Sequence, residues 1–314
     1  MRSPLEDPQF QGLYAVVGSL GRGGMGEVIR IRHRIWELDL AAKVPLPAAV
    51  ASAGGVARLR READTWIRLP SHPHVVTCHY VRSFADTPVI FIEFVEGGSL
   101  AAAIERGAFK HGATTDALVV HAFSIALDVA HGLAHAHAAN VVHQDIKPSN
   151  VLLDAQGAKI TDFGIAAIGR VEVDPGAGSA IRGDGTIVAT VVGMTPHYAS
   201  PEQLAALGGA GRGDGHQITR ATDIWSLGLT LLETLIGDAP WRPGAVHELL
   251  SAVDGPWSDA LALLRRMLAD DPTARPTAVE VAAELTALLE RRGVHRGPPR
   301  VAEMRADALN NRAV

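Results

Sequence analysis

The segment His143-Gln144-Asp145-Ile146-Lys147-Pro148-Ser149-Asn150, with Asp162-Phe163-Gly164 twelve residues beyond its Asn, gathers a carboxylate, an ammonium group and two hard-cation ligands within twenty residues. Such a set suits phosphoryl transfer, a reaction that needs little covalent help and much charge neutralisation. One Asp orients the attacking hydroxyl, while an Asn and a second Asp hold Mg²⁺.

A second chemistry-bearing stretch lies upstream. Leu20-Gly21-Arg22-Gly23-Gly24-Met25-Gly26-Glu27-Val28 places glycines at the first, third and sixth positions of a loop. Glycines let backbone N–H groups approach phosphate, but the same spacing serves dinucleotide folds and plain tight turns. The following element decides between them. A dinucleotide fold requires a helix there, whereas Glu27-Val28-Ile29-Arg30-Ile31-Arg32 continues as strand-like text and leads to Ala41-Ala42-Lys43. A lysine on an apolar strand is costly unless its ammonium meets an anion, and phosphates together with a helix carboxylate would supply one.

The elements that must position these groups follow from periodicity. From Tyr14 to about Phe94, β-branched runs such as Val16-Val17, Val28-Ile29 and Val89-Ile90-Phe91-Ile92 alternate with turn residues, which predicts strands. One helix interrupts them over 56–69, with Leu59, Ala63, Trp66 and Ile67 on one face. After Gly97-Gly98 the text becomes rich in Ala and Leu and predicts helices over 117–139, 223–236 and 277–292. A small β-rich lobe therefore precedes a larger helical one. Gly-rich stretches at 169–185 and 207–215 read as loops.

Composition narrows the class. The chain has 314 residues, 47% of them hydrophobic, enough for one large domain or two lobes. No apolar run approaches the roughly 18 to 20 residues of a membrane span, and the N-terminus lacks the apolar core of a secretion signal. The single Cys78 excludes an internal disulfide, and a cytoplasmic setting is expected. Net charge is −5 with dispersed Lys and Arg, which argues against nucleic acid. The 14 His are scattered without the spacing of a zinc site.

Taken in order, these motifs make residues 12–292 resemble the protein kinase superfamily, closest to bacterial Hanks-type serine/threonine kinases. Thr195-Pro196-His197-Tyr198-Ala199-Ser200-Pro201-Glu202 resembles the end of an activation segment, Asp223-Ile224-Trp225-Ser226-Leu227-Gly228 an anchoring helix, and Asp271-Pro272-Thr273-Ala274-Arg275-Pro276 the closing motif. The resemblance implies an α+β fold of two lobes, about 12–95 and 96–292, with ATP between them, and a tail or linker over 293–314. It implies ATP and Mg²⁺ (Mn²⁺ as an alternative) as cofactors, Ser/Thr hydroxyls of proteins as acceptors, and autophosphorylation, with a homodimer for its trans form.

Roles carry over residue by residue. Asp145 would orient the acceptor hydroxyl, Lys147 would steady the transferred group, and Thr195 would bond near both. Asn150 and Asp162 would hold the metal. Lys43 would pair with Glu62. Leu20, Gly21, Gly23 and Gly26 would cover the phosphates; Val28, Ala41 and Leu152 would sandwich adenine, its edge bonded to backbone at Glu93 and Val95 after Ile92. Glu202 and Arg275 would form a buried structural pair, and Cys78, Trp66, His143 and Phe163 one stacked column.

The sequence departs from the family in three places. Gln144 stands where most members have Arg, so a phosphate on Thr186 or Thr190 meets no cation at that point. Met194 replaces a usual Gly, with Gly193 one place earlier. The insertion between Glu202 and Asp223 is long, and the stretch from Trp241 to Asp271 is short. The rival readings are a pseudokinase scaffold, against which Lys43, Asp145, Asn150 and Asp162 all stand, and a small-molecule kinase, against which the 195–202 segment stands.

Overall fold

The structure is a computed structural model and describes residues 3–23, 26–51, 55–109, 115–163, 196–207, 218–237, 246, 250 and 256–299. The chain divides into two compact units, one running from the N-terminus to Glu96 and the other spanning Gly97–Pro299.

The first unit is built on a five-stranded antiparallel sheet: β1 (Tyr14–Arg22), β2 (Gly26–His33), β3 (Leu38–Pro45), β4 (Cys78–Phe84) and β5 (Thr87–Glu93), in the order β1-β2-β3-β5-β4. Three helices accompany it: α1 (Pro8–Leu13), α2 (Pro47–Ala51) and α3 (Gly55–Arg68). The sequence predicts only the last of these, because α1 and α2 are too short to show a helical period. Alternation along the strands sorts side chains onto two faces. Ile29, Ala42, Val44, Val89 and Phe91 join Phe10, Tyr14 and Phe84 in one core. Its rings pack closely, with Tyr14 and Phe91 stacked at 4.9 Å and Phe10 edge-on to Phe84 at 5.2 Å. Asp7 fastens α1 to the sheet, since one carboxylate oxygen caps the helix at Gln9 N and the other accepts from Ala85 N at 2.9 Å.

The second unit is mainly helical: α4 (Leu100–Glu105), α5 (Thr115–Ala138), α6 (Pro201–Leu207), α7 (Arg220–Ile236), α8 (Leu261–Met267) and α9 (Ala278–Arg291). A two-stranded hairpin, β6 (Val151–Asp154) and β7 (Gly157–Ile160), lies between α5 and α6 in sequence. Caps set the helix ends. Thr277 and Glu280 form a reciprocal capping box at the start of α9, and Gly237, at φ 78°, closes α7 with its N–H on Glu233 O at 2.7 Å.

Helix α5 is the centre of this unit and packs against α7, α9 and β7. Among the described residues its span Asp116–Ala138 is long and apolar enough to cross a membrane by length and composition alone. This corrects the expectation that no run reaches that length. His, Ser and Gly interrupt the apolar text without the penalty of a charge, and only two carboxylates, Asp116 and Asp128, fall in the span. Val119, Phe123, Leu127, Val129 and Leu133 are all buried, as in the core helix of a folded domain.

Candidate active site

The loop 143–150 is suspended from the first turn of α7. Asp223, fully buried there, accepts from His143 N at 2.9 Å and from Gln144 N at 2.7 Å, and it also bonds His137 Nε2 at 2.8 Å. A carboxylate at a helix N-terminus is favoured by the positive end of the helix dipole, so the anchor is stable where it sits. Gln203 adds a further tie, its Nε2 donating to Gln144 O at 2.9 Å. Held on both sides, Gln144 adopts φ 67°, a left-handed conformation that costs a non-glycine residue about 1–2 kcal/mol. The sharp turn delivers Asp145 to the other side of the loop.

At Asp145 the expected groups meet. Lys147 Nζ donates to Oδ2 at 2.7 Å, and Asn150 Nδ2 donates to the main-chain O at 2.8 Å and to Oδ2 at 3.1 Å. Because the Asn150 amide uses its nitrogen here, its oxygen is the atom able to ligate a hard cation. Asp162 is brought alongside by the β6–β7 hairpin. Val151 pairs with Ile160 in its last rung, and Thr161 N continues the ladder onto Asn150 O at 3.0 Å. Asn150 and Thr161 are thus opposite one another, and Asp162 is the next residue, also left-handed at φ 65°.

One Asn and one Asp fit Mg²⁺, which takes few protein ligands and keeps waters or phosphate oxygens for the rest. Among the described residues no cluster of three or more His, Cys, Asp or Glu gathers to hold a metal, so the set is not that of a closed protein cage. Leu152 follows on β6 and is half-buried; Ser99 bridges it, and Gly97 and Gly98 bond Leu153 on either side.

His143 is a packing residue. Its Nε2 bonds Thr161 O at 2.8 Å, Asp145 N donates to its Nδ1 at 3.3 Å, and Phe163 lies against it with centroids 4.8 Å apart at 70°. The rings meet edge to face, in the contact expected of these two residues, and the ring nitrogens, both held by main-chain atoms, fix the imidazole plane. In the first unit Trp66 is buried with Nε1 donating to Val76 O at 2.8 Å, and it lines with Cys78 a cavity of about 40 Å³.

Among the remaining candidates Val28, Ala41 and Lys43 share one face of the five-stranded sheet. Lys43 is opposite Val28 on β2 and Ile90 on β5, and Ala41, two residues earlier, is opposite Ile92. Alternation puts Val28, Ala41, Lys43, Ile90 and Ile92 on the face away from the aromatic core. Lys43 is only 8% exposed, the burial that its strand predicts. Gly23 N donates to Gly26 O at 2.8 Å, and strand β2 rather than a helix begins at Gly26, which removes the dinucleotide reading. A side chain at Gly26 would press on the main-chain O of Val44. Leu20 and Gly21 lie at the end of β1, Leu20 half exposed. Glu93 N is bonded to Thr77 O at 2.9 Å and its carboxylate accepts from Thr77 N at 3.1 Å; Val95 is buried two residues on.

A family model described as the protein kinase domain matches residues 14–285. The chain belongs to that family. The serine/threonine-protein kinase PknD of Mycobacterium tuberculosis is 34% identical over 254 residues, covering 79% of this chain and 33% of its own length. The probable serine/threonine-protein kinase PkwA of Thermomonospora curvata is 30% identical over 296 residues, 91% of this chain and 36% of its own. The chain thus spans about a third of the length of these relatives. The crystal structure of the M. tuberculosis PknI kinase domain aligns with a TM-score of 0.65 at 25% identity, over 94% of this chain and all of that one, which establishes the two-lobed α+β kinase fold.

Two of the kinase motifs close on each other as expected. Arg275 and Glu202 form a bidentate pair at 2.7 and 2.9 Å. Burial pushes the Glu202 carboxyl up, but the Arg275 guanidinium outweighs it and holds the carboxyl below its usual range. Thr195, Thr186, Thr190, Gly193, Met194 and both Gly-rich loops lie outside the described residues, apart from Leu207 at the end of α6. Glu62 is on the α3 backbone, its side chain outside the described set. Sequence reasoning named Asp223 at the head of the anchoring-helix motif but missed its bonds to His143, Gln144 and His137, and it missed Gln203. The one local signal beyond that motif is that Asp223 is an acid in the first turn after the capping Thr219.

Proposed function

We propose that this chain is an ATP-dependent protein kinase that transfers the γ-phosphoryl group of ATP to Ser or Thr hydroxyls of proteins. The observation that carries this reading is the group Asp145, Lys147 and Asn150 in mutual contact, with Asp162 drawn beside Asn150 by the ladder bond from Thr161. Family membership and the names of relatives such as PknD support the acceptor class.

In this reading Asp145 accepts a hydrogen bond from the acceptor hydroxyl and aligns it for in-line attack. Lys147, bonded to Asp145 and still 19% exposed, reaches toward the transferred group and offsets the negative charge that spreads over its oxygens. Asn150 and Asp162 would hold Mg²⁺, which supplies charge neutralisation on the phosphate oxygens. Lys43, assisted by Glu62, and the glycine turn with Leu20, Gly21, Gly23 and Gly26 bind phosphates. Val28, Ala41 and Leu152 contact adenine, with Glu93 O and Val95 N on its edge. Thr195 steadies Asp145 and Lys147. The kinase domain runs over 12–292, modification of Thr186 and Thr190 occurs between two copies of the chain, and the reaction takes place in the cytoplasm, where ATP and Mg²⁺ are abundant.

Incubation with labelled ATP, Mg²⁺ and either protein or small-molecule acceptors tests the reading. Label should enter Ser and Thr of protein with wild type and not with Asp145→Asn. Transfer to small molecules alone, or equal labelling by both proteins, would overturn it.

A further inference from the structure

Residues just past α9 return to the body of the second unit. After α9 the chain turns at Gly293, φ 74°, and Arg296 reaches α5. There its Nη1 meets Asp128 Oδ1 at 3.0 Å and donates to Ser124 O at 3.1 Å. Asp128 is 2% exposed, and its other oxygen, Oδ2, accepts from Ala158 N at 3.0 Å. One buried carboxylate therefore takes the C-terminal guanidinium on one oxygen and the β6–β7 hairpin on the other.

The hairpin is fitted to this carboxylate. Asp154 Oδ1 accepts from Gln156 N at 2.7 Å and Gly157 N at 2.9 Å and so closes the turn. Gly157 sits at φ 138°, where a side chain would be strained and would also collide with Asp128 Oδ2. The far end of the same hairpin carries Asn150 and Asp162. With four rungs between them, the two ends form one rigid lever.

We propose that Arg296 is a positioning residue: through Asp128 it fixes the β6–β7 turn and with it the spacing of Asn150 and Asp162. The segment 293–299 is then part of the metal-holding machinery, although it lies past the region that the kinase family model matches. This rests on the kinase reading, since only a metal-bound nucleotide needs that spacing. A buried carboxylate that loses its cation is strongly disfavoured, and the nearest way to relieve it is to let water in at the hairpin turn.

The test uses the full chain with Arg296→Ala and Arg296→Lys, read by hydrogen exchange and by calorimetry with ADP in the presence and absence of Mg²⁺. Exchange of the amides over 151–160 should rise at least about tenfold in Arg296→Ala. Affinity for Mg²⁺·ADP should fall about tenfold, roughly 1.4 kcal/mol, while affinity for ADP without metal stays the same. Arg296→Lys, which keeps the charge, should recover part of both effects, and it carries the test if the alanine variant does not fold. Unchanged exchange would overturn the clamp. Raised exchange with equal loss of ADP affinity with and without metal would show a merely structural role and overturn the positioning one. A wild-type chain that binds no nucleotide at all would sink the kinase reading, and the positioning role with it, while exchange would still report on the clamp.

Discussion

Two acid–base pairs of the second unit differ in how completely they are closed. Arg275 uses all its donors: Nε bonds Ala269 O, Nη1 bonds Glu202 Oε1 and Ala221 O, and Nη2 bonds Glu202 Oε2 and Asp270 O. Thr222 adds a hydroxyl to Glu202, the ring of Trp225 lies 5.0 Å from the guanidinium carbon, and the two side chains are 0% and 5% exposed. Lys147 meets Asp145 at 2.7 Å with side chains 19% and 8% exposed. The first pair is finished as built and serves the fold. The second keeps a cation on a flexible stem within reach of water, which is what a group that must follow moving charge requires.

The strongest way to break this contrast is through Asp145. Asp145→Asn should lower turnover by about 10³-fold or more, the range of a lost general base. Its thermal midpoint should move by no more than about 2 °C, since Lys147 can turn to solvent. Turnover with a protein acceptor and a thermal melt check both; a large fall in stability would show that this pair is as structural as the other.

The closed pair should behave in the opposite sense. Glu202→Ala leaves a guanidinium in the core and should cost about 3–5 kcal/mol in denaturant melts. The folded carboxyl titrates below its unfolded value of about 4.3, so the pair's contribution is fully present above that pH and is lost as pH falls through the folded pKa. The stability gap between wild type and Glu202→Gln should therefore be constant from pH 7 to about 5 and shrink below about pH 4.3. A gap that widens on acidification would refute the assignment.

Gln144 sharpens the comparison with the smallest effect. Its side chain is 1% exposed, and neither its amide oxygen nor its nitrogen has a hydrogen-bond partner among the described residues. A buried neutral amide supplies no cation for a phosphate on the activation segment. Thr186→Ala/Thr190→Ala protein should keep turnover within about tenfold of wild type. A fall of about a hundredfold, roughly 2.7 kcal/mol of barrier, would mean that another cation takes the missing arginine's part.

The fold and the site were legible in the sequence to different depths. Residues that act within one short segment, such as Asp145, Lys147 and Asn150, could be read because chain connectivity alone keeps them together. Long periodic helices, among them the one expected over 277–292, were legible for the same local reason. What Asp223 anchors was not, although its motif was: its partners His143 and Gln144 lie about eighty residues away, and their bonds use main-chain N–H groups that no residue type signals. The Arg296–Ser124 contact spans 172 residues and left no trace in composition. The short helices α1 and α2 were missed because five or six residues hold too little pattern.

Helix α5 has a consequence for how the chain is made. The elements that cover its apolar face, β7, α7 and α9, all follow it in sequence, and α9 ends more than 150 residues later. At a ribosome adding about 5–20 residues per second, the helix leaves the exit tunnel several seconds before its last partner exists. During that interval it is an uncovered apolar rod of membrane-spanning length, and chaperones and bilayers compete for it with a core still being synthesised.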